Sequence, residues 1–150
     1  MRVLLQRSLE ASVSVDGEVV GAIPRGLVAL VGTTIGDDEA IAKRLGERTA
    51  SMRLFPDADG KTNLSVRDVG GRVLVVSQFT LYGNTRKGTR PSFVRAGPPD
   101  AAAALIEVFR LALESAGVPT ASGVFGADMK VSLVNDGPFT VLLEKEAPRD

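Results

Sequence analysis

The chain has 150 residues, 44% hydrophobic and 24% charged, the balance of one globular domain spanning 1–150. Lysine plus arginine and aspartate plus glutamate stand at 18 each, so no global attraction to nucleic acid is expected, although a local basic patch stays open. Histidine, cysteine and tryptophan are absent, which excludes a Ser-His-Asp triad, a Cys-His pair and a zinc site built on such ligands.

The N-terminal MRVLLQRSLEASV holds an apolar run too short for a signal peptide, and no run reaches the length of a membrane span. A cytoplasmic protein is the expectation, and the lack of cysteine fits it. Residues 2–8 read as a strand and 10–16 as another, with Ala11, Val13 and Val15 alternating. Asp16-Gly17 is a hairpin signal leading into EVVGAI. The continuous apolar run at 27–33 predicts a strand buried on both faces. Gly36-Asp37-Asp38-Glu39 places acids at a helix start, and Ile41, Leu45 and Met52 carry helix 38–51 forward. MRLFP reads as a short strand, followed by a Pro-Asp and Asp-Gly loop. A second buried strand is predicted at 73–79. Residues 83–99 carry turn residues and charges and read as a structured loop. The alanine-rich AAAALIEVFRLALESAG is the clearest helix, with Leu105, Phe109, Ala112 and Leu113 on one face and Gly117 as its stop. Residues 120–129 read as a glycine-bearing strand or loop, and the last strands are expected at 129–134 and 139–145. This order predicts an α/β (α+β) domain in which two helices cover a mixed sheet.

Three segments bear on chemistry. Ser77, Gln78, Phe79 and Thr80 follow a buried apolar run, and ends of central strands are where α/β sheets present ligands. They read either as a strand fraying into a polar loop or as a cradle of hydroxyls, an amide and backbone N–H groups suited to an oxyanion. Thr80 is a poor nucleophile, since no histidine can activate it, and positioning suits it better. Between residues 84 and 95, Arg86, Lys87, Arg90 and Arg95 surround Phe93 with no acid among them. That is either a solvated loop or a surface for phosphates and a stacked base. Asp57-Ala58-Asp59-Gly60 starts like a calcium loop, but its glycine falls at position four where position six is required, so it reads as a turn. No metal or cofactor is expected. Asn135-Asp136-Gly137-Pro138 sits between two apolar runs as a hairpin tip would. The residues alone leave the isomer of the Gly137–Pro138 bond open.

Taken together, SQFTL at 77–81 and NDGPFT at 135–140 resemble the two signature motifs of the bacterial D-aminoacyl-tRNA deacylases. RVLLQR near the start, RPSF at 90–93 and GVFGADM at 123–129 are similar to that family as well, so the likeness covers nearly the whole chain. The resemblance implies hydrolysis of D-aminoacyl-tRNA, and of glycine mischarged on tRNA, by a homodimer with its site at the subunit interface. It implies that Ser77 to Thr80 line the pocket, with the Phe79 amide near the reacting ester. It implies a cis Gly137–Pro138 pair that reaches into the partner's pocket and rejects L side chains. Arg7 would brace that loop, with Phe125, Met129, Asn135 and Thr140 supporting the gate or pocket. Chemically this suits a chain without histidine, because the substrate's ribose 2′-hydroxyl can help to activate a water. Three rivals remain: a related deacylase tolerant of a small L-amino acid, a non-enzymatic RNA-binding module, and a small-molecule hydrolase working through Thr80.

Overall fold

The computed structural model describes residues 1–148. In chain order the elements are β1 (Arg2–Val15), β2 (Glu18–Ile23), β3 (Gly26–Gly32), α1 (Glu39–Ser51), β4 (Arg53–Pro56), β5 (Thr62–Ser65), β6 (Arg72–Ser77), α2 (Pro99–Ser115), β7 (Thr120–Ser122) and β8 (Lys130–Glu144). The main sheet runs β2-β1-β3-β6-β7, with β8 also paired to β1. β1 is antiparallel to β2, β3 and β8, whereas β3, β6 and β7 are mutually parallel. β4 and β5 form a separate antiparallel pair. This is the mixed α+β architecture expected, and no helix among the described residues is long and apolar enough to cross a membrane.

Side chains alternate across a strand, so a strand covered on both faces must be apolar throughout. β3 and β6 show this directly. Leu27, Ala29, Val31, Val73 and Val75 join one core with Leu45 of α1 and Phe109 of α2, while Val28, Leu74 and Val76 join a second with Ala11, Val13 and Ile23. Each wholly buried Leu or Phe contributes roughly 1.5–3 kcal/mol. The first core is covered by the helices, the second by the curl of β1 and β2, and β2 meets β7 across it. α1 begins at Asp38, whose Oδ1 accepts from the Ile41 N–H at 2.8 Å. The helices cross at Gly46, where an added Cβ would lie 2.6 Å from the Phe109 carbonyl oxygen and 2.7 Å from Ala112 Cβ.

Several boundaries differ from the sequence reading. The strands expected at 2–8 and 10–16 are one 14-residue strand. Its Val3 and Leu5 serve the first core and Ala11 and Val13 the second. β6 ends at Ser77, and residues Phe79–Tyr82 form a 3-10 turn instead of continuing the strand. β5 begins inside the expected loop, at Thr62 and Asn63, whose polar side chains are exposed.

The largest correction concerns 135–138. Both halves of β8 pair antiparallel with the same strand, β1: Asn135 opposes Ser8 and Thr140 opposes Gln6. The chain does not reverse there, so the segment is no hairpin tip. Residues 136 to 139 instead stand opposite Arg7 alone, as an outward bulge in one continuous 15-residue strand. A hairpin would need the two apolar runs to pair with each other. Here β1 is long enough to hold both in line.

Candidate active site

β3 and β6 are parallel, so their C-terminal ends emerge at one edge of the sheet. The Gln78 N–H still donates to the Val31 carbonyl at 2.8 Å, and the chain then tightens into the 3-10 turn. The first N–H groups of such a turn have no partner within it. Among the described residues, those of Phe79 and Thr80 donate to no protein acceptor. Gln78 Nε2 donates to Thr80 Oγ1, which fixes the hydroxyl without any base beside it.

A groove of about 690 Å³ opens at this edge. Ser77, Gln78 and Phe79 line it, with Phe93 from the following loop and Phe125 and Met129 from the segment after β7. The Phe79 and Phe93 rings meet edge to face, with centroids 5.2 Å apart and planes at 70°. Both are exposed, Phe79 at 59%. The 98–99 proline pair, which in the sequence marks a helix start, also borders the groove. Asp128 is the single ionisable residue along it, and its carboxylate is paired with Lys130 Nζ at 3.1 Å. The groove therefore offers N–H donors, an amide, hydroxyls and apolar rings, and no group poised as a general base.

The bulge of β8 forms a second cluster. Arg7 Nε donates to the Asp136 carbonyl at 3.0 Å, and Nη1 donates to the Leu54 carbonyl at 2.8 Å. Its guanidinium lies 3.4 Å from the Asp136 carboxylate and 4.6 Å from the centre of the Phe139 ring. The Asn135 amide donates to the carbonyls of Arg7 and Phe139 at 2.9 and 3.0 Å and accepts from the Phe139 N–H at 3.2 Å. The Gly137–Pro138 peptide bond is cis. Gly137 and Pro138 are exposed while the residues that grip them are half-buried. Thr140 stands beyond the bulge and its hydroxyl accepts from Gln6 Nε2 at 3.4 Å.

Ser77, Gln78, Phe79, Phe125 and Met129 are thus brought together at the groove. Arg7, Asn135, Gly137 and Pro138 are brought together at the bulge, and neither Gly137 nor Pro138 lines the groove of its own chain. The four cations do not form one cluster. Arg86 and Arg95 border a separate depression with Arg2 and Tyr82, two residues to which no sequence motif gives a role, and Lys87 and Arg90 do not. The signal available for Tyr82 was its place one residue beyond SQFTL, as the chain's sole tyrosine.

The fold aligns with a solved structure described as "a probable eukaryotic D-amino acid tRNA deacylase", at a TM-score of 0.83 and 19% identity over 95% of this chain and 97% of that one. A family model described as D-Tyr-tRNA(Tyr) deacylase matches residues 4–144, and the chain belongs to that family of hydrolases. Curated relatives named D-aminoacyl-tRNA deacylase include one from Roseiflexus castenholzii, 53% identical over all of this chain and 96% of its own. Another, from Thermomicrobium roseum, is 55% identical over 96% of this chain and 94% of its own. The solved structure of a c-Myc DNA unwinding element binding protein is also similar, at 36% identity and a TM-score of 0.90, covering 98% of this chain and 100% of that one.

Proposed function

We propose that the protein hydrolyses the ester linking a D-amino acid, or glycine, to the terminal ribose of tRNA, and that it does so as a homodimer. The ester carbonyl sits beside the free N–H groups of Phe79 and Thr80. Water, activated with help from the neighbouring ribose 2′-hydroxyl, attacks the carbonyl carbon. The N–H groups stabilise the oxyanion of the tetrahedral intermediate, the bond to the ribose oxygen breaks, and free amino acid and tRNA leave. The terminal base stacks at the exposed Phe79–Phe93 pair, and Arg86, Lys87, Arg90 and Arg95 offer charge to the RNA.

Handedness follows from the bulge. Gripped by Arg7 and Asn135, its backbone oxygens are rigid, and rigid oxygens crowd an L side chain while a D side chain points away. Glycine has no side chain to reject. The bulge stands outside its own groove, so a second protomer is needed to bring it over an ester. The exposed apolar residues Leu9, Val134 and Leu142 on β1 and β8 are consistent with such an interface.

The observation that carries this reading is the groove itself: free N–H donors and aromatic walls with no base, in a chain of a deacylase family. The test is hydrolysis of matched D- and L-aminoacyl-tRNA, with sedimentation of the same sample. Fast loss of the D-ester by a dimer supports the proposal, and preferential loss of the L-ester or an active monomer refutes it. A second reading, nucleic-acid binding without hydrolysis, is favoured by the 36%-identical relative's description as a DNA-element-binding protein. It predicts bound tRNA with its D-ester intact.

A further inference from the structure

A second depression, of about 400 Å³, is bordered by Arg2, Tyr82, Asn84, Thr85, Arg86 and Arg95, and no carboxylate lines it. Among the described residues, two buried side-chain polar atoms lack a hydrogen-bond partner, Arg2 Nε and the Tyr82 hydroxyl, and both belong to this lining. Buried polar groups are nearly always satisfied, so two orphans at one place mark where a bound water or ion is held. Arg2 Nε lies 3.0 Å from Glu144 Oε1 but is not aligned to donate to it, while Nη1 donates to the Leu81 carbonyl at 2.7 Å. The Arg2 and Arg95 guanidinium carbons stand 4.5 and 5.8 Å from the centre of the Tyr82 ring. Burial, aided by Asp37 and Glu146, pushes the Tyr82 hydroxyl far above the ordinary phenol value, so it keeps its proton and remains a donor.

Charge decides the kind of ligand. Glu144 offsets Arg2, and Glu146 lies 3.3 Å from Arg95. The Arg86 guanidinium has no protein partner among the described residues. Asp37, the third carboxylate near Tyr82, is paired with the Met1 ammonium at 2.8 Å, so three guanidinium groups against Glu144 and Glu146 leave a positive site with forked donors, which matches a phosphate oxyanion.

We propose that this depression is a phosphate site that holds a backbone phosphate of the RNA strand whose terminal ester occupies the groove, an assignment that rests on the deacylase reading. The 3-10 turn supplies the spacing. Phe79 lines the groove and Tyr82, at the other end of the turn, lines the depression. A 3-10 turn rises about 2 Å per residue, so the two backbones are roughly 6 Å apart along it. The phosphate held here is within a few nucleotides of the strand's end. The site also divides the basic loop: Arg86 and Arg95 grip this phosphate, and Lys87 and Arg90 act only as diffuse charge.

Tyr82 is the sole tyrosine of a tryptophan-free chain, so tyrosine emission reports on this depression alone. Titrating the full chain with inorganic pyrophosphate at constant ionic strength gives a saturable change in the wild type. Arg86→Gln weakens that binding about fivefold or more, and Lys87→Gln does not. A change no different from that of matched chloride overturns the site.

The second arm compares D-aminoacyl-tRNA with the D-aminoacyl ester of adenosine, which carries no phosphate. Arg86→Gln raises KM for the tRNA about tenfold, leaves kcat and the adenosine ester unaffected, and lowers the salt slope of binding by about one. Equal losses on both substrates, or none on either, refute the assignment. Saturable pyrophosphate binding with an unchanged KM for tRNA would give the site to a free phosphate compound and refute its RNA role. Should the wild type hydrolyse neither ester, the deacylase reading fails, and the pyrophosphate titration still decides whether a phosphate site exists.

Discussion

Arg7 and Asp136 are 129 positions apart in the chain, yet the Arg7 Nε donates to the Asp136 backbone oxygen at 3.0 Å and the two side chains form an ion pair at 3.4 Å. The same guanidinium reaches the Leu54 carbonyl, so one half-buried side chain ties the bulge of β8 to the start of β4. Everything proposed for the bulge depends on its being held in this way.

Arg7→Ala is expected to lower stability by about 1.5–3 kcal/mol, the range for hydrogen bonds to a charged group. It is also expected to reduce discrimination between D- and L-esters. Arg7→Lys keeps the charge but not the fork that spans two carbonyls, and should fall between. Denaturant unfolding beside the paired ester assay checks both. A destabilised Arg7→Ala with unaltered chiral preference would remove the bulge from the mechanism.

Gly137 has φ +140°, and an added Cβ would lie 2.8 Å from the Phe139 nitrogen and 3.0 Å from Phe139 Cβ. Gly137→Ala should cost about 1–3 kcal/mol in backbone strain and depress D-ester hydrolysis. The measurement is unfolding together with kcat/KM on the D-ester, and an alanine variant equal to wild type in both would contradict the geometry.

Gly46 is the control remote from the site. Its Cβ would press on the Phe109 carbonyl and Ala112 Cβ where the helices cross. Gly46→Ala should destabilise by about 1–3 kcal/mol through overpacking while activity per folded molecule stays at the wild-type level. Loss of activity at full stability would show that the helix layer is coupled to the groove.

The pH–rate profile should carry no histidine limb between about pH 5 and 8, since the chain has no histidine. The substrate's own amine titrates near 8 at most and appears in the uncatalysed reaction too. An enzyme-specific limb in that window, absent from the uncatalysed profile, would require a general base that the groove does not contain.

Stability should be lost in acid. Glu107 is held below its ordinary value by its hydrogen bond to Arg110, and Glu114 by hydrogen bonds from the Thr120 hydroxyl and N–H. Asp68 is lowered by the Ser65 N–H. A carboxyl with a depressed folded-state pKa binds protons more tightly when unfolded. Its contribution is complete above the ordinary value, near 4.5 for the glutamates, and disappears as pH falls through the folded value. Melting temperatures from neutral pH down to about pH 3 test this, with the fall smaller in Glu114→Gln.

The buried strands at β3 and β6, the helix ending at Ser115 and the polar edge at Ser77–Thr80 were all legible in the residues, because alternation, periodicity and a change from apolar to polar are local properties. The two-signature resemblance, too, needed only short strings. Other features were not available locally. Asn, Asp, Gly and Pro suit a hairpin tip and an in-strand bulge equally, and only the length of β1 beside both halves of β8 selects the bulge. The basic loop looked like one patch until Tyr82 and Arg2, from opposite ends of the first 82 residues, drew two of its arginines aside. Composition and pattern specified which segments are strands, helices and polar edges. Which of them became neighbours was decided by burial of two cores on either side of one sheet, a contact energy summed over residues far apart in the chain and therefore invisible to any short window.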